Sequence, residues 1–204
     1  MADPLPRCRL ASWGEVDAWA ETLSGKIRRR HRTYDTLVGL TRGGWVPARL
    51  LSDRLGVKRI VSLRAQHWGV TATPSGSAEI TEELSGPVAN ERVLVVDDIT
   101  DTGESLRLAT DHVRAQGPAQ LDSAAFLHIG HSGFRPDFYA ERIPKRSWVW
   151  VIFPWNYWED LRTLAARAAE SDPRLAKVVE RLREGTGVRF PRADVARALA
   201  EFSR

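Results

Sequence analysis

Apolar positions along this chain follow two interleaved rhythms up to about residue 155 and a single one beyond it. Ser12-Trp13-Gly14-Glu15 has the pattern of a helix capping box, and Val16, Trp19, Leu23 and Ile27 follow at helical spacing. Thr36 to Leu40 is a short apolar run that enters Thr41-Arg42-Gly43-Gly44, which predicts a buried strand leading into a glycine loop. Pro47 then opens a helix carrying Ala48, Leu51 and Leu55, and Gly56 closes it. Arg59 to Ala65 alternates apolar with polar, as a strand does. Arg92 to Val96 is the strongest buried strand, and a helix from about Gly103 to Gln116 is stopped by Gly117-Pro118. Leu121 to His128 predicts another strand, and two further apolar segments lie at Phe138-Tyr139-Ala140 and Trp148 to Trp155.

After Tyr157 the period becomes purely helical: Leu161, Leu164, Ala165 and Ala168, then Leu175, Val178, Val179 and Leu182, then Val195, Leu199 and Phe202. Pro173, Gly185-Thr186-Gly187 and Pro191 separate the three stretches. Strand–helix alternation predicts an α/β domain over 1–157 with a central, mostly parallel sheet, and the tail predicts a small helical appendage over 158–204. Residues 69–90 are rich in Gly, Ser, Thr and Pro and read as a long loop with at most a weak hairpin.

Composition narrows the class. Hydrophobic residues make up 43% and charged residues 27% of the 204, which suits a globular chain rather than a disordered one. No apolar run approaches the ~20 residues of a membrane span, and the amino end lacks the pattern of a secretory signal. Cys8 is the single cysteine, so no internal disulfide and no cysteine-clustered metal site can form. A cytoplasmic location follows as the expectation. The net charge of +4 raises nucleic acid as a partner, but acids are interleaved with the basic residues. The one dense run, Arg28-Arg29-Arg30-His31-Arg32, falls at a predicted helix end, where cations complement the dipole. Nucleic acid is therefore not expected as a ligand.

The chemistry concentrates in Val93-Leu94-Val95-Val96-Asp97-Asp98-Ile99-Thr100-Asp101-Thr102-Gly103-Glu104-Ser105. Strand tips of a parallel sheet bind ligands, and a helix amino end receives phosphate. Small residues at Thr102, Gly103 and Ser105 let backbone N–H groups close around a phosphate, and the hydroxyls add donors. Two adjacent carboxylates can accept hydrogen bonds from the neighbouring hydroxyls of a ribose.

This segment resembles the phosphoribosyl-pyrophosphate motif of type I phosphoribosyltransferases, in which four apolar residues precede two acids and a Thr-Gly phosphate loop. The resemblance implies an α/β fold with a mostly parallel five-stranded sheet flanked by helices. It assigns the ribose hydroxyls to Asp97 and Asp98, and the 5-phosphate to Asp101, Thr102, Gly103, Glu104 and Ser105. Asp101 matches the acid that takes a proton from the purine in 6-oxopurine members. Thr41, Arg42 and Gly43 resemble the family's pyrophosphate loop, with Arg42 stabilising the leaving group and a cis peptide expected at Thr41–Arg42. The stretch from His67 to Thr81 occupies the place of the family's catalytic lid. Mg²⁺ is implied as cofactor, held near Asp97 and Asp98 through water, and a homodimer is implied as the assembly.

Trp148-Val149-Trp150-Val151-Ile152-Phe153-Pro154-Trp155 carries the choice of base. Xanthine-guanine-type enzymes have a similar Trp, three residues, then Pro-Trp, which puts Trp150 over a purine, with Val151 and Ile99 beside it. Members acting on 6-oxopurines also place a lysine just after the strand equivalent to 121–128. This chain has no lysine between Lys58 and Lys145 and reads Leu127-His128-Ile129-Gly130-His131 instead. Losing a pure donor tilts the expected base toward adenine, whereas a donor from His128 or His131 would restore hypoxanthine, guanine or xanthine. A non-catalytic, phosphoribosyl-pyrophosphate-sensing regulator that binds nucleic acid is the more distant alternative.

Overall fold

A computed structural model describes residues 4–67 and 78–202. The chain divides into two compact units, one of residues 14–148 and one of residues 1–13 together with 149–204. The sequence boundary at 157/158 differs from this division. The reason is a short strand, β1 (Cys8–Leu10), which pairs in parallel with β8 (Trp150–Ile152) and ties both ends of the chain into one unit.

The larger unit is a six-stranded sheet. Its elements are α1 (Trp13–Arg29), β2 (Thr36–Leu40), α2 (Trp45–Leu55), β3 (Arg59–His67), β4 (Ala78–Glu82), β5 (Arg92–Thr100), α3 (Glu104–Ala115), β6 (Gln120–Ile129) and β7 (Phe138–Ile143). Strand order is β4-β3-β2-β5-β6-β7, and every pairing is parallel except β3 with β4. The sheet thus has one strand more than the five expected. The addition, Ala78–Glu82, sits at the edge and leaves its Glu79 and Glu82 exposed, so it lacks the apolar run that marks the buried strands.

Central strands covered on both faces read as unbroken apolar runs. Thr36 to Leu40 is buried throughout, and Val93 to Val96 are fully buried. Val38, Val61, Val93 and Val95 pack with Leu106, Ala109 and Val113 of α3 in one cluster. On β6, Phe126 meets Trp19 of α1 with ring centroids 6.2 Å apart, and the Trp19 indole N–H donates to Glu141 of β7 at 2.9 Å. Each fully buried Val or Leu contributes about 1.5–3 kcal/mol of transfer free energy. The basic run after α1 is tied into the same unit: Arg30 donates to the Asp137 carbonyl at 3.5 Å and Arg32 to Gln120 at 3.1 Å.

The smaller unit contains α4 (Tyr157–Ala169), α5 (Leu175–Thr186) and α6 (Arg192–Phe202), the three helices read from the spacing of apolar residues. Leu161, Leu164, Ala165, Val178, Leu182 and Val195 form its core with Ile152 of β8. Cys8 lies in this unit, and burial, aided by the charge of Asp160, pushes its thiol up to about 12. It stays protonated at neutral pH and is no nucleophile. No helix among the described residues is long and apolar enough to cross a membrane.

Candidate active site

The site is built where β5 ends. The strand does not stop at the acids but runs through Asp97 and Asp98 to Thr100, so alternate side chains fall on opposite faces. Asp98 is buried and Asp97 half-buried. Asp97 Oδ1 accepts the Asp98 backbone N–H at 2.9 Å. Removal from water, and then the adjacent Asp98 charge, hold the Asp97 carboxyl well above the usual carboxylate range; that hydrogen bond opposes the shift. Such a pair suits ligands that supply hydrogen-bond donors or positive charge. Ile99 is half-buried and lies in register with Leu127 of β6.

The turn 101–103 joins β5 to α3. Gly103 adopts a left-handed φ of 83°, and a Cβ there would run into Ser132 and Phe134. Only glycine meets both demands. Glu104 and Ser105 begin α3, whose N-cap Gly103 has no side chain to cap it; the Glu104 N–H donates to Thr102 Oγ1 at 3.3 Å. The first turn of that helix therefore presents N–H groups and the positive dipole end at the place expected for a phosphate.

Thr41, Arg42 and Gly43 lie in the glycine loop between β2 and α2, and the Thr41–Arg42 peptide is cis, as expected. The Thr41 N–H donates to the Leu63 carbonyl at 2.9 Å. A Cβ on Gly43 would sit well inside contact distance of the Asp98 carboxylate, and one on Gly44 would strike the Val96 carbonyl. The loop thus presses directly on the acid-bearing end of β5. Arg42 is exposed at its tip.

Asp101 is gripped from two sides. The Trp148 indole N–H donates to its Oδ1 at 3.1 Å, and His131 Nε2 lies 3.1 Å from the same oxygen. The connection that carries His131 also docks on the turn, since the Gly133 N–H donates to the Thr102 carbonyl at 2.8 Å. Neither contact was legible in the sequence, where Trp148 belongs to the aromatic run and His131 reads as a replacement donor for the base. His128, the other candidate donor, is buried and bound through Nδ1 to Thr100 Oγ1 at 2.9 Å, with its ring 5.0 Å from that of Tyr139. Burial, then Arg142 and Arg135, lower its pKa, so it is a neutral core residue. The two histidines thus serve separate partners.

Within residues 14–148 the structure brings together Thr41, Arg42, Gly43, Asp97, Asp98, Asp101, Thr102, Gly103, Glu104 and Ser105 on two neighbouring strand ends. Trp150 and Val151 belong to the other unit. There Val151 is buried, and Trp150 donates its indole N–H to Asp160 at 3.0 Å while packing beside that unit's core. Of the lid expected over 67–81, residues 68–77 lie outside the described residues. The flanking β3 and β4 pair antiparallel, with Gln66 opposite Glu79.

Comparison with known proteins places the chain in a family. The model of the phosphoribosyl transferase domain matches residues 11–160. A xanthine-guanine phosphoribosyltransferase of Cereibacter sphaeroides is 28% identical over 153 residues, covering 71% of this chain and 84% of its own. One from Gluconobacter oxydans is 26% identical over 148 residues, covering 71% and 82%. The crystal structure of a purine phosphoribosyltransferase from Pyrococcus horikoshii superposes with a TM-score of 0.62 at 28% identity, covering 72% of this chain and 93% of that one.

Proposed function

The chain belongs to the phosphoribosyl transferase family, and from that premise we propose that it joins a 6-oxopurine to phosphoribosyl pyrophosphate, forming a nucleoside 5'-monophosphate and pyrophosphate. The observation that carries the reading is the meeting of three elements at the end of β5: the acid pair Asp97–Asp98, the turn and helix start at 101–105, and the glycine loop pressed against Asp98. They match in order the ribose, 5-phosphate and pyrophosphate of one substrate. Adenine, which the missing lysine favours, gives way to an oxopurine because the curated relatives are named for xanthine and guanine. A missing lysine removes one donor; it does not create an acceptor for an exocyclic amine.

The chemistry is displacement at ribose C1 with dissociative character, in which the enzyme chiefly positions and stabilises charge. Asp97 and Asp98 accept hydrogen bonds from the 2- and 3-hydroxyls and fix the ring. The amides and hydroxyls of Thr102, Gly103, Glu104 and Ser105 hold the 5-phosphate. Arg42 and the loop amides of Thr41 and Gly43 stabilise the departing pyrophosphate. Asp101 accepts the proton that the base loses. Ile99 contacts the base.

Mg²⁺ fits the donor set in one respect: Asp97 lies beside a second acid, and the neighbouring Asp98 charge helps raise its carboxyl above the usual range, which favours a cation nearby. Among the described residues there is no cluster of three or more His, Cys, Asp or Glu side chains that could hold a metal. Asp97 and Asp98 would therefore hold Mg²⁺ through water, with the substrate's own oxygens completing the shell. When bound it neutralises charge on pyrophosphate. The same reading carries a cytoplasmic, homodimeric enzyme.

The test is pyrophosphate release from phosphoribosyl pyrophosphate and Mg²⁺ with adenine, hypoxanthine, guanine and xanthine in parallel. Turnover with one or more of the three oxopurines in preference to adenine is expected. Turnover with adenine alone overturns the oxopurine assignment. No turnover with any base, despite tight binding of phosphoribosyl pyrophosphate, sinks the enzyme and favours a sensor of that ligand.

A further inference from the structure

Asp101 is a carboxylate on a three-residue turn, and its usefulness as a proton acceptor depends on which way it points. Two groups meet it at Oδ1: the Trp148 indole N–H donates to it at 3.1 Å, and His131 Nε2 lies 3.1 Å from it as an ion-pair partner. A carboxylate has two oxygens, so a clamp confined to one of them leaves the other to receive a proton. We propose that His131 is a positioning residue for the transfer reaction: with Trp148 it locks Asp101 in the orientation from which Oδ2 accepts the proton of the base. The proposal rests on the purine-transferase reading above.

Three features of the connection between β6 and β7 separate this from a chance surface contact. The Gly133 N–H donates to the Thr102 carbonyl at 2.8 Å, which fastens the connection to the turn next to Asp101. Gly103 lies so close to Ser132 and Phe134 that no side chain fits between. Phe134 packs against the core under α3, and Ser132 Oγ donates to its carbonyl at 2.9 Å. The imidazole is thus carried by a segment fixed at both the turn and the core. Its neighbour in sequence, His128, is spent on Thr100 and plays no part. The contact to Oδ1 requires the tautomer or charge state with a proton on Nε2.

A neutral side chain that places an N–H at the same point should do the same work, and this distinguishes positioning from proton transfer. A glutamine reaches about as far from the backbone as Nε2 of histidine, whereas asparagine falls short. The experiment measures kcat and KM with the base that wild-type protein turns over best, and phosphoribosyl pyrophosphate binding by calorimetry. His131→Ala should lower kcat roughly 10- to 100-fold while leaving phosphoribosyl pyrophosphate affinity near wild type, as expected when a reacting group loses its alignment. His131→Gln should recover most of that loss, and Trp148→Phe should fall in the same direction as His131→Ala. If His131→Ala fails to bind phosphoribosyl pyrophosphate, His131→Gln against His131→Asn carries the same comparison.

An unchanged kcat in His131→Ala overturns the proposal. So does a glutamine variant no better than alanine or asparagine, which would make His131 a proton carrier or a base contact instead. Wild-type protein that turns over no purine sinks the parent reading and this inference with it. That result is distinguished from failure of the inference alone, in which wild type is active and His131→Ala equally so.

Discussion

At the scale of single residues the acid pair at the end of β5 is held against its own charge. Asp97 is half-buried beside a second acid, and its raised pKa means the folded chain holds that proton more tightly than the unfolded one. Its contribution to stability is therefore complete below the ordinary value of 3.8 and is lost as pH rises through the folded value. Asp97→Asn should abolish this loss, raising Tm at neutral pH on a scale of about 2–4 °C per kcal/mol, while abolishing turnover. Thermal denaturation of both proteins across pH checks it: a wild-type Tm unaffected by the substitution would contradict the assignment. Gly43 makes a second test. A methyl group there displaces Asp98 or the loop, so Gly43→Ala should stay folded yet lose roughly 100-fold or more in kcat/KM, the scale of a misplaced reacting group. Kinetics beside circular dichroism separates these effects.

At the scale of elements, long buried strands and amphipathic helices were legible because their signals are local and repetitive. Val93 to Val96 has no polar break, and α4 to α6 present apolar residues every three or four positions. The edge elements were not. β1 is three residues long and becomes a strand only because β8 lies beside it, and β4 has little apolar content to announce it. The helical unit yields its own prediction. Leu161 is fully buried in the cluster with Val178, Leu182 and Val195. Leu161→Ala should destabilise that unit by about 2–5 kcal/mol, read by chemical denaturation.

At the scale of the whole molecule, the carboxy-terminal helices complete a unit rather than decorate one. Leu164, Ala165 and Ala168 of α4 bury against partners from α5 and α6. Ending the chain after residue 170 should expose that face, and the truncated protein should aggregate or bind a hydrophobic dye that the full chain does not. A soluble, dye-negative truncation would show that α4 holds its place alone. The sequence by itself determined the order of strands and helices, the Asp97-Asp98 pair, the 101–105 turn and the glycine loop, because each is a contiguous segment whose chemistry survives being read in isolation. Only the tertiary structure decided the edge strands, the division of the chain at 13/14 and 148/149, and the separate fates of two histidines three residues apart. His128 pairs with a hydroxyl from the neighbouring strand, while His131 joins Trp148 on Asp101. Those partners lie 28, 47 and 30 positions away along the chain, and only folding brings them within hydrogen-bond reach.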